Sequence, residues 1–277
     1  MTNSQSDLLN LHSRNFSLEL LAYISALLVG ISLGLIGAGG SILTVPVFVY
    51  LLNIDPVIAS TCSLFTVGCT SFVGSVRSYL TGQVQWRTVY LFGLPSFVAA
   101  LLTHKWLLPT IPDTIFQSGS FVLHKGTMML ILFALLMLVA GFRMIRKEEK
   151  VAGDGHAHYT LVIFAGLITG FVTGLLGAGG GFIIIPALVL GLNIPVKKAI
   201  GTSLLIITIN TLLTFAGSYQ GVAIPWNTLL IFTAISVAGI FIGQGLALKI
   251  HAEKLKPAFG WFVIGMGVVI VVNELFF

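Results

Sequence analysis

Two stretches of this chain carry residue types suited to holding an anion. Gly34-Leu-Ile-Gly-Ala-Gly-Gly40 is followed by Ser41-Ile-Leu-Thr-Val-Pro46, and residues 174–186 read Gly-Leu-Leu-Gly-Ala-Gly-Gly-Gly-Phe-Ile-Ile-Ile-Pro. Gly37, Ala38, Gly39, Gly40 and Ser41, and their counterparts Gly177, Ala178, Gly179, Gly180 and Gly181, stand just ahead of short apolar segments. A helix that starts at such a point offers unpaired N–H groups and the positive end of its dipole, and both favour an oxyanion. Packing is the competing role, because glycine lets helices approach closely, as Gly30-xxx-Gly34 and Gly170-xxx-Gly174 also allow. Packing alone does not call for four glycines within the seven residues 34–40 ahead of a half-length helix. A dinucleotide role is poorly supported, since neither a preceding strand nor an acidic residue at the required distance follows from the sequence.

A second set is hydroxylic. Thr61 and Ser63 lie in Ser60-Thr61-Cys62-Ser63, and Thr202 and Ser203 follow Gly201. Their hydroxyls can donate to an oxyanion or bond back to the preceding helical turn. Asn210 lies two turns beyond Ser203, and Thr66 and Thr70 face similarly. Arg77 falls inside an apolar segment near its end, where it either attracts or gates an anion or snorkels to the interface. Tyr79, Trp86, Tyr219 and Trp226 read as interfacial anchors first and substrate contacts second.

The chain lacks a Gly-x-Ser-x-Gly elbow, zinc spacing and a Walker motif, so neither catalysis nor a nucleotide-driven pump is expected. No cofactor or metal is expected either: His156 and His158 near Asp154 sit in a polar stretch that reads as solvated. Cys62 and Cys69 read as buried thiols in one apolar segment. Glu19, Asp55, Asp113, Glu253 and Glu274 all lie near segment ends, which makes a carboxylate proton relay hard to draw.

The elements that must position these residues follow from composition. Hydrophobic residues make up 56% and charged residues 8%, with mean hydropathy +1.03; a soluble domain carries about 25% charged residues. The class is an all-α polytopic membrane protein, because backbone groups in lipid must be paired within each span. The net charge of +5 is then a matter of loop topology and not of nucleic-acid binding. Apolar segments run over 16–36, 41–52, 56–80, 88–108 and 126–145, then 158–176, 182–192, 198–217, 227–247 and 257–277. Eight have spanning length; 41–52 and 182–192 are short and broken by Pro46 and Pro186.

The two halves repeat at an offset of 140 residues, with 20 identities in 63 positions between 30–92 and 170–232. The organisation is a loose tail over 1–15, a first repeat over 16–145, a cytoplasmic linker over 146–157 and a second repeat over 158–277. An odd number of crossings per half inverts the second repeat. With the linker inside, eleven of the 14 basic residues fall in cytoplasmic loops, as the positive-inside rule requires. Paired short, Gly/Pro-broken segments in inverted halves point to a transporter's binding site near the midplane.

The doubled motif Gly-x-x-Gly-Ala-Gly-Gly-[Ser/Gly]-x-x-x-x-Pro, ending at Pro46 and Pro186, resembles that of the TauE/SafE family of sulfite-exporter-like transporters. Asn53-Ile54 to Ser63 and Asn193-Ile194 to Ser203 extend the likeness. The resemblance implies an inner-membrane exporter of sulfite, sulfoacetate or a related organosulfonate. Expected partners are a small anion and the lipid bilayer, without nucleic acid; the oligomeric state is open, a homodimer being one option. A proton-coupled importer, an anion pore and a non-transporting assembly partner are the alternatives.

Overall fold

Ten helices follow the ten apolar segments in the computed structural model, which describes residues 2–37, 40–118, 121–145, 159–177, 179–192, 194–247 and 252–276. They are α1 (Thr2–Ile36), α2 (Ser41–Leu51), α3 (Pro56–Leu80), α4 (Trp86–Thr110) and α5 (Lys125–Ile145). In the second half come α6 (Tyr159–Leu176), α7 (Gly181–Leu192), α8 (Val196–Ser218), α9 (Trp226–Ala247) and α10 (Ala252–Phe276). Seven of them are long and apolar enough to cross a membrane among the described residues. The eighth expected span, α10, is 25 residues long, and its described apolar stretch is Val263–Glu274. At 1.5 Å per residue, α2 and the 12-residue α7 reach about 17–18 Å, well short of the ~30 Å hydrocarbon core.

Local chemistry explains the boundaries. Asp55 caps α3, its carboxylate accepting from the Val57 and Ile58 N–H groups at 2.9 and 3.4 Å, with Pro56 at the first helical position. Pro46 cannot donate, and the chain beyond it loosens into a π turn over Val47–Leu51. Asn53, at φ 57°, ends the short helix, and Ile54 donates its N–H to Phe48 O at 3.0 Å. Ile194 does the same to Leu188 O at 3.3 Å in the other half. Within α4, π turns cover Val89–Gly93 and Thr103–Leu107, each two residues before a proline.

Two expectations need correction. Residues 2–15, expected as a loose tail, continue α1 as helix. The fold is not purely helical: Thr114–Ser118 and Phe121–His124 form an antiparallel hairpin, β1 and β2. The Lys125–Asp113 ion pair at 3.1 Å and the Lys125 N–H to Asp113 O bond at 2.9 Å close its base. Both strands are rich in aromatic and β-branched residues. The linker 146–157, with His156, and neighbouring His158 lie outside the described residues.

Helix neighbours are preserved when the two halves are exchanged. The mates α3 and α8 pack antiparallel, Gly68 meeting Thr211 and Leu212, Gly74 meeting Leu204, and Gly201 meeting Ser78. The mates α5 and α10 are also antiparallel, Gly141 meeting Gly260 and Ile264, and Gly267 meeting Ala134 and Leu138. By contrast, α1 lies parallel to α9, and α6 parallel to α4. Gly30 and Gly34 meet Ser236, Gly239, Ile240 and Gly243, while Gly170 and Gly174 meet the backbone of Ser96 and Ala100. These four glycines therefore serve close helix packing, as the small-xxx-small spacing suggests.

Polarity is inverted relative to a soluble protein. Leu20, Leu28, Phe164, Phe171, Phe241 and Trp261 are exposed, whereas Ser60, Thr61, Ser63, Thr66, Thr70, Thr202, Ser203, Asn210 and Thr211 are buried on α3 and α8. α2 is tied in by the Phe48–Phe232 ring contact at 4.6 Å and by the Tyr50 hydroxyl, which donates to Glu274 at 2.9 Å.

Candidate functional site: the second glycine loop

The loop between α6 and α7 turns through left-handed backbone. Gly177, Gly179 and Gly180 have φ of 68°, 68° and 62°, a conformation that only glycine adopts at low cost. Gly177 is pressed against the Ser60 carbonyl and hydroxyl, one turn into α3, and Gly180 against the Thr173 hydroxyl. Gly179 reaches deepest: a Cβ there lies 2.9 Å from Val67, 3.3 Å from Ile207 and 3.4 Å from Thr211, near the middle of α3 and α8. Such non-helical backbone at mid-helix depth is tolerated where protein or a water-lined cavity surrounds it.

Several buried hydroxyls on these helices are spent on their own backbone. Thr70 donates to Thr66 O at 2.7 Å, Thr208 to Leu204 O at 2.8 Å, Thr211 to Ile207 O at 2.7 Å and Ser203 to Ile200 O at 2.9 Å. Among the described residues the hydroxyls of Ser60, Ser63 and Thr173 are buried without a hydrogen-bond partner, as are those of Thr44, Ser71, Thr214 and Ser218 elsewhere. Ser60 contacts Gly177 and Thr173 contacts Gly180, and Ser63 shares one face of α3 with Ser60 and Val67. Each unmade bond costs about 1–3 kcal/mol, which a bound acceptor recovers.

Asn210 is fully buried, its Nδ2 donating to Ser96 Oγ at 2.6 Å while Oδ1 has no partner. The Ser96 hydroxyl can donate as well as accept, so either amide orientation satisfies that pair. Turning Nδ2 inward presents N–H donors to the interior.

The remaining expected residues fall differently. Gly37, at φ 79°, faces Ile200, where a Cβ would lie 2.5 Å from the side chain, and Gly40 caps α2 with right-handed backbone against Ser32. Ser41 and Gly181 are buried at the starts of α2 and α7. Ala38, Gly39 and Ala178 lie outside the described residues. Thr202 accepts from the Gln85 N–H at 3.0 Å and so holds the α3–α4 turn. Arg77 is exposed in the last turn of α3. Tyr79 and Trp86 pair at 6.1 Å, and Tyr219 and Trp226 each contact Phe215, at 5.4 and 6.3 Å.

The two glycine loops are thus chemically unequal. Where the second loop meets the Ser60 hydroxyl, the first meets Ile200; where Gly180 meets the unpartnered Thr173 hydroxyl, Gly40 meets that of Ser32, which already donates to Val29 O at 3.1 Å. One further polar residue joins the second loop. His104, 4% exposed, donates from or accepts at Nε2 toward Thr61 Oγ1 at 3.4 Å and bonds Gly174 O through Nδ1 at 2.7 Å. A reading centred on glycines and carboxylates passes over it. The available signal is the repeat itself: His104 aligns with Gln244, a polar residue at the same place in both halves.

Comparison with known proteins fits this architecture. The profile of the family described as "Sulfite exporter TauE/SafE" matches residues 22–270. A probable membrane transporter protein of Xylella fastidiosa is 30% identical over 253 residues, covering 88% of this chain and 91% of the relative. The probable membrane transporter protein YunE of Bacillus subtilis is 26% identical, covering 83% and 87%. The probable membrane transporter protein MJ0441 of Methanocaldococcus jannaschii is 26% identical, covering 69% of each chain. No solved structure matches. A family match across nearly the whole length, on a multi-pass helical chain with the doubled glycine loop, means that this protein belongs to the TauE/SafE family of membrane transporters.

Proposed function

We propose that the chain exports a small sulfur oxyanion, such as sulfite, sulfoacetate or a related organosulfonate, across the inner membrane by alternating access. The observation that carries this reading is the set of unpartnered hydroxyls on Ser60, Ser63 and Thr173 around the left-handed glycines of 177–180. Buried hydroxyl donors around a glycine loop whose Gly179 reaches mid-helix depth suit an oxyanion, which offers acceptors only. Ser41, Thr61, Ser203 and Asn210 line the approaches, the first loop through Gly37 and Gly40 forms the opposite wall, and Arg77 draws anions toward the cytoplasmic end.

The two repeats act as inverted halves that rock about this site. Support comes from the antiparallel packing of α3 on α8 and of α5 on α10, because mates that both span the bilayer and run antiparallel belong to inverted repeats. The basic residues agree, with the linker cytoplasmic and both termini outside. The membrane potential suffices as driving force, at about 2.3 kcal/mol per charge per 100 mV.

Reconstituted chain should release sulfite from vesicles faster when the potential is clamped negative inside, by at most about tenfold per 60 mV for each net charge that crosses. Flux that ignores the potential, or a failure to move any small anion, contradicts the reading.

A further inference from the structure

We propose that His104 binds a proton that accompanies the anion, so that the imidazolium and an anion on the second glycine loop hold each other in place. The inference rests on the anion site proposed above. Among the described residues His104 is the one buried side chain of the Lys, Arg, His, Asp and Glu types. It lies in the π turn Thr103–Leu107 of α4, and π turns recur at functional positions in helices.

Its partners suit two protonation states. Gly174 O accepts only, so Nδ1 carries a hydrogen in either state. Thr61 Oγ1 lies 3.4 Å from Nε2 and 3.3 Å from Val57 O. With neutral histidine, the Thr61 hydroxyl donates to Nε2. With imidazolium, that hydroxyl turns to Val57 O and accepts from Nε2–H. Neither state strands a donor, so the ring takes or gives up a proton without rebuilding its surroundings.

Position links the charge to the anion. Gly174 is in the last turn of α6, where terminal carbonyls lack helical partners and the dipole favours a cation. Three residues on, Gly177 rests on Ser60, the neighbour of Thr61. His104 therefore bridges the two walls of the proposed site, and a positive charge on it attracts an anion there. By linkage, an anion then raises proton binding by the same factor.

No other ionisable group competes on the surrounding faces. α6 has none between Thr160 and Leu176, and α8 none between Ala199 and Ser218; Lys197 and Lys198 are exposed at its far end. α3 contributes the buried Cys62 thiol and the exposed cap Asp55, and α4 the exposed Lys105. The repeat mate Gln244 donates to Gly74 O at 3.0 Å. Glutamine thus fits the equivalent place in the fold but cannot take a proton, so the coupling belongs to one half.

The test compares wild-type and His104→Gln chains in proteoliposomes under clamped potential, with an internal pH dye and sulfoacetate, which stays a dianion near neutral pH, so that one net negative charge still crosses with each proton and the flux keeps its dependence on potential. Wild-type chain should move about one proton per anion, with flux rising about tenfold from pH 8 to pH 6. In His104→Gln the proton-to-anion ratio should fall to near zero and the pH dependence should flatten. A variant that keeps the wild-type ratio, or wild-type flux without protons, overturns the proposal. If no anion moves, the transport reading fails, and histidine NMR of the whole chain in nanodiscs decides this one. A ring resonance lost in His104→Gln should titrate as the pH is lowered over the range in which the chain stays folded; a ring fixed in one state throughout overturns it.

Discussion

Gly177→Ala should lower anion flux at least about a hundredfold, while Gly82→Ala should leave it within about twofold. Both glycines have nearly the same left-handed backbone, φ 68° and 67°, so both alanines incur about 1–2 kcal/mol of strain. Their surroundings differ. A Cβ at Gly82 meets nothing within 4 Å. At Gly177 a Cβ runs into the carbonyl of Ser60, whose carbon lies at 2.7 Å. That carbonyl belongs to the backbone of α3 and cannot turn aside. The loop must move instead, at a further cost of about 1–3 kcal/mol. It carries Gly179 away from Val67 and opens the donors that converge on the site. Thermal unfolding and vesicle flux, measured together on folded protein, check both parts. Equal losses in the two variants would mean that only backbone strain matters.

Ser60→Ala combined with Ser63→Ala should make the protein more stable and less active. A buried hydroxyl without a partner carries a desolvation penalty of about 1–3 kcal/mol. Both hydroxyls are fully buried and unpartnered, so removing them should raise the unfolding temperature in the absence of substrate. The same change removes donors from the oxyanion, at about 1.5–3 kcal/mol for each charge-assisted bond, and transport should fall at least about tenfold. Opposite signs in stability and activity mark a site kept for function. Were the serines structural, both quantities would fall. Thr70→Ala supplies the contrast, because that hydroxyl already donates to Thr66 O at 2.7 Å and its removal brings no such gain.

The features that proved legible in the sequence are those set by local chemistry. Asp55-Pro56 and the polar turn after Leu80 bound α3, and the glycine and proline pairs mark the two short helices. The repeat offset anticipates which helices pair as mates. Features set by long-range contact were hidden. The polarity of the second loop depends on which residues of α3 and α6 face it, and an alignment of mates treats Ser60 and Ile200 as the same place. His104 looks like one polar residue in an apolar run until the fold sets it between Thr61 and Gly174. Thr202 reads as a ligand donor from its repeat position, yet its hydroxyl holds Gln85. The hairpin was obscured for another reason: its strands are only five and four residues long, inside a loop between two strong helical segments. Residues 2–15 are too polar to read as a span, although their helix simply prolongs α1.

The most direct measurement is the location of a bound oxyanion. Selenite is a heavier analogue of sulfite, and crystals of the protein soaked in it should show an anomalous selenium peak. The expected position is within hydrogen-bond reach of Ser60 Oγ and the backbone N–H groups of the second glycine loop, about 3–4 Å from those donors to selenium. That peak should vanish in the Ser60→Ala, Ser63→Ala double variant. A peak elsewhere in the helical bundle, or none at a selenite concentration that saturates transport, would contradict the assignment of the second glycine loop as the anion site.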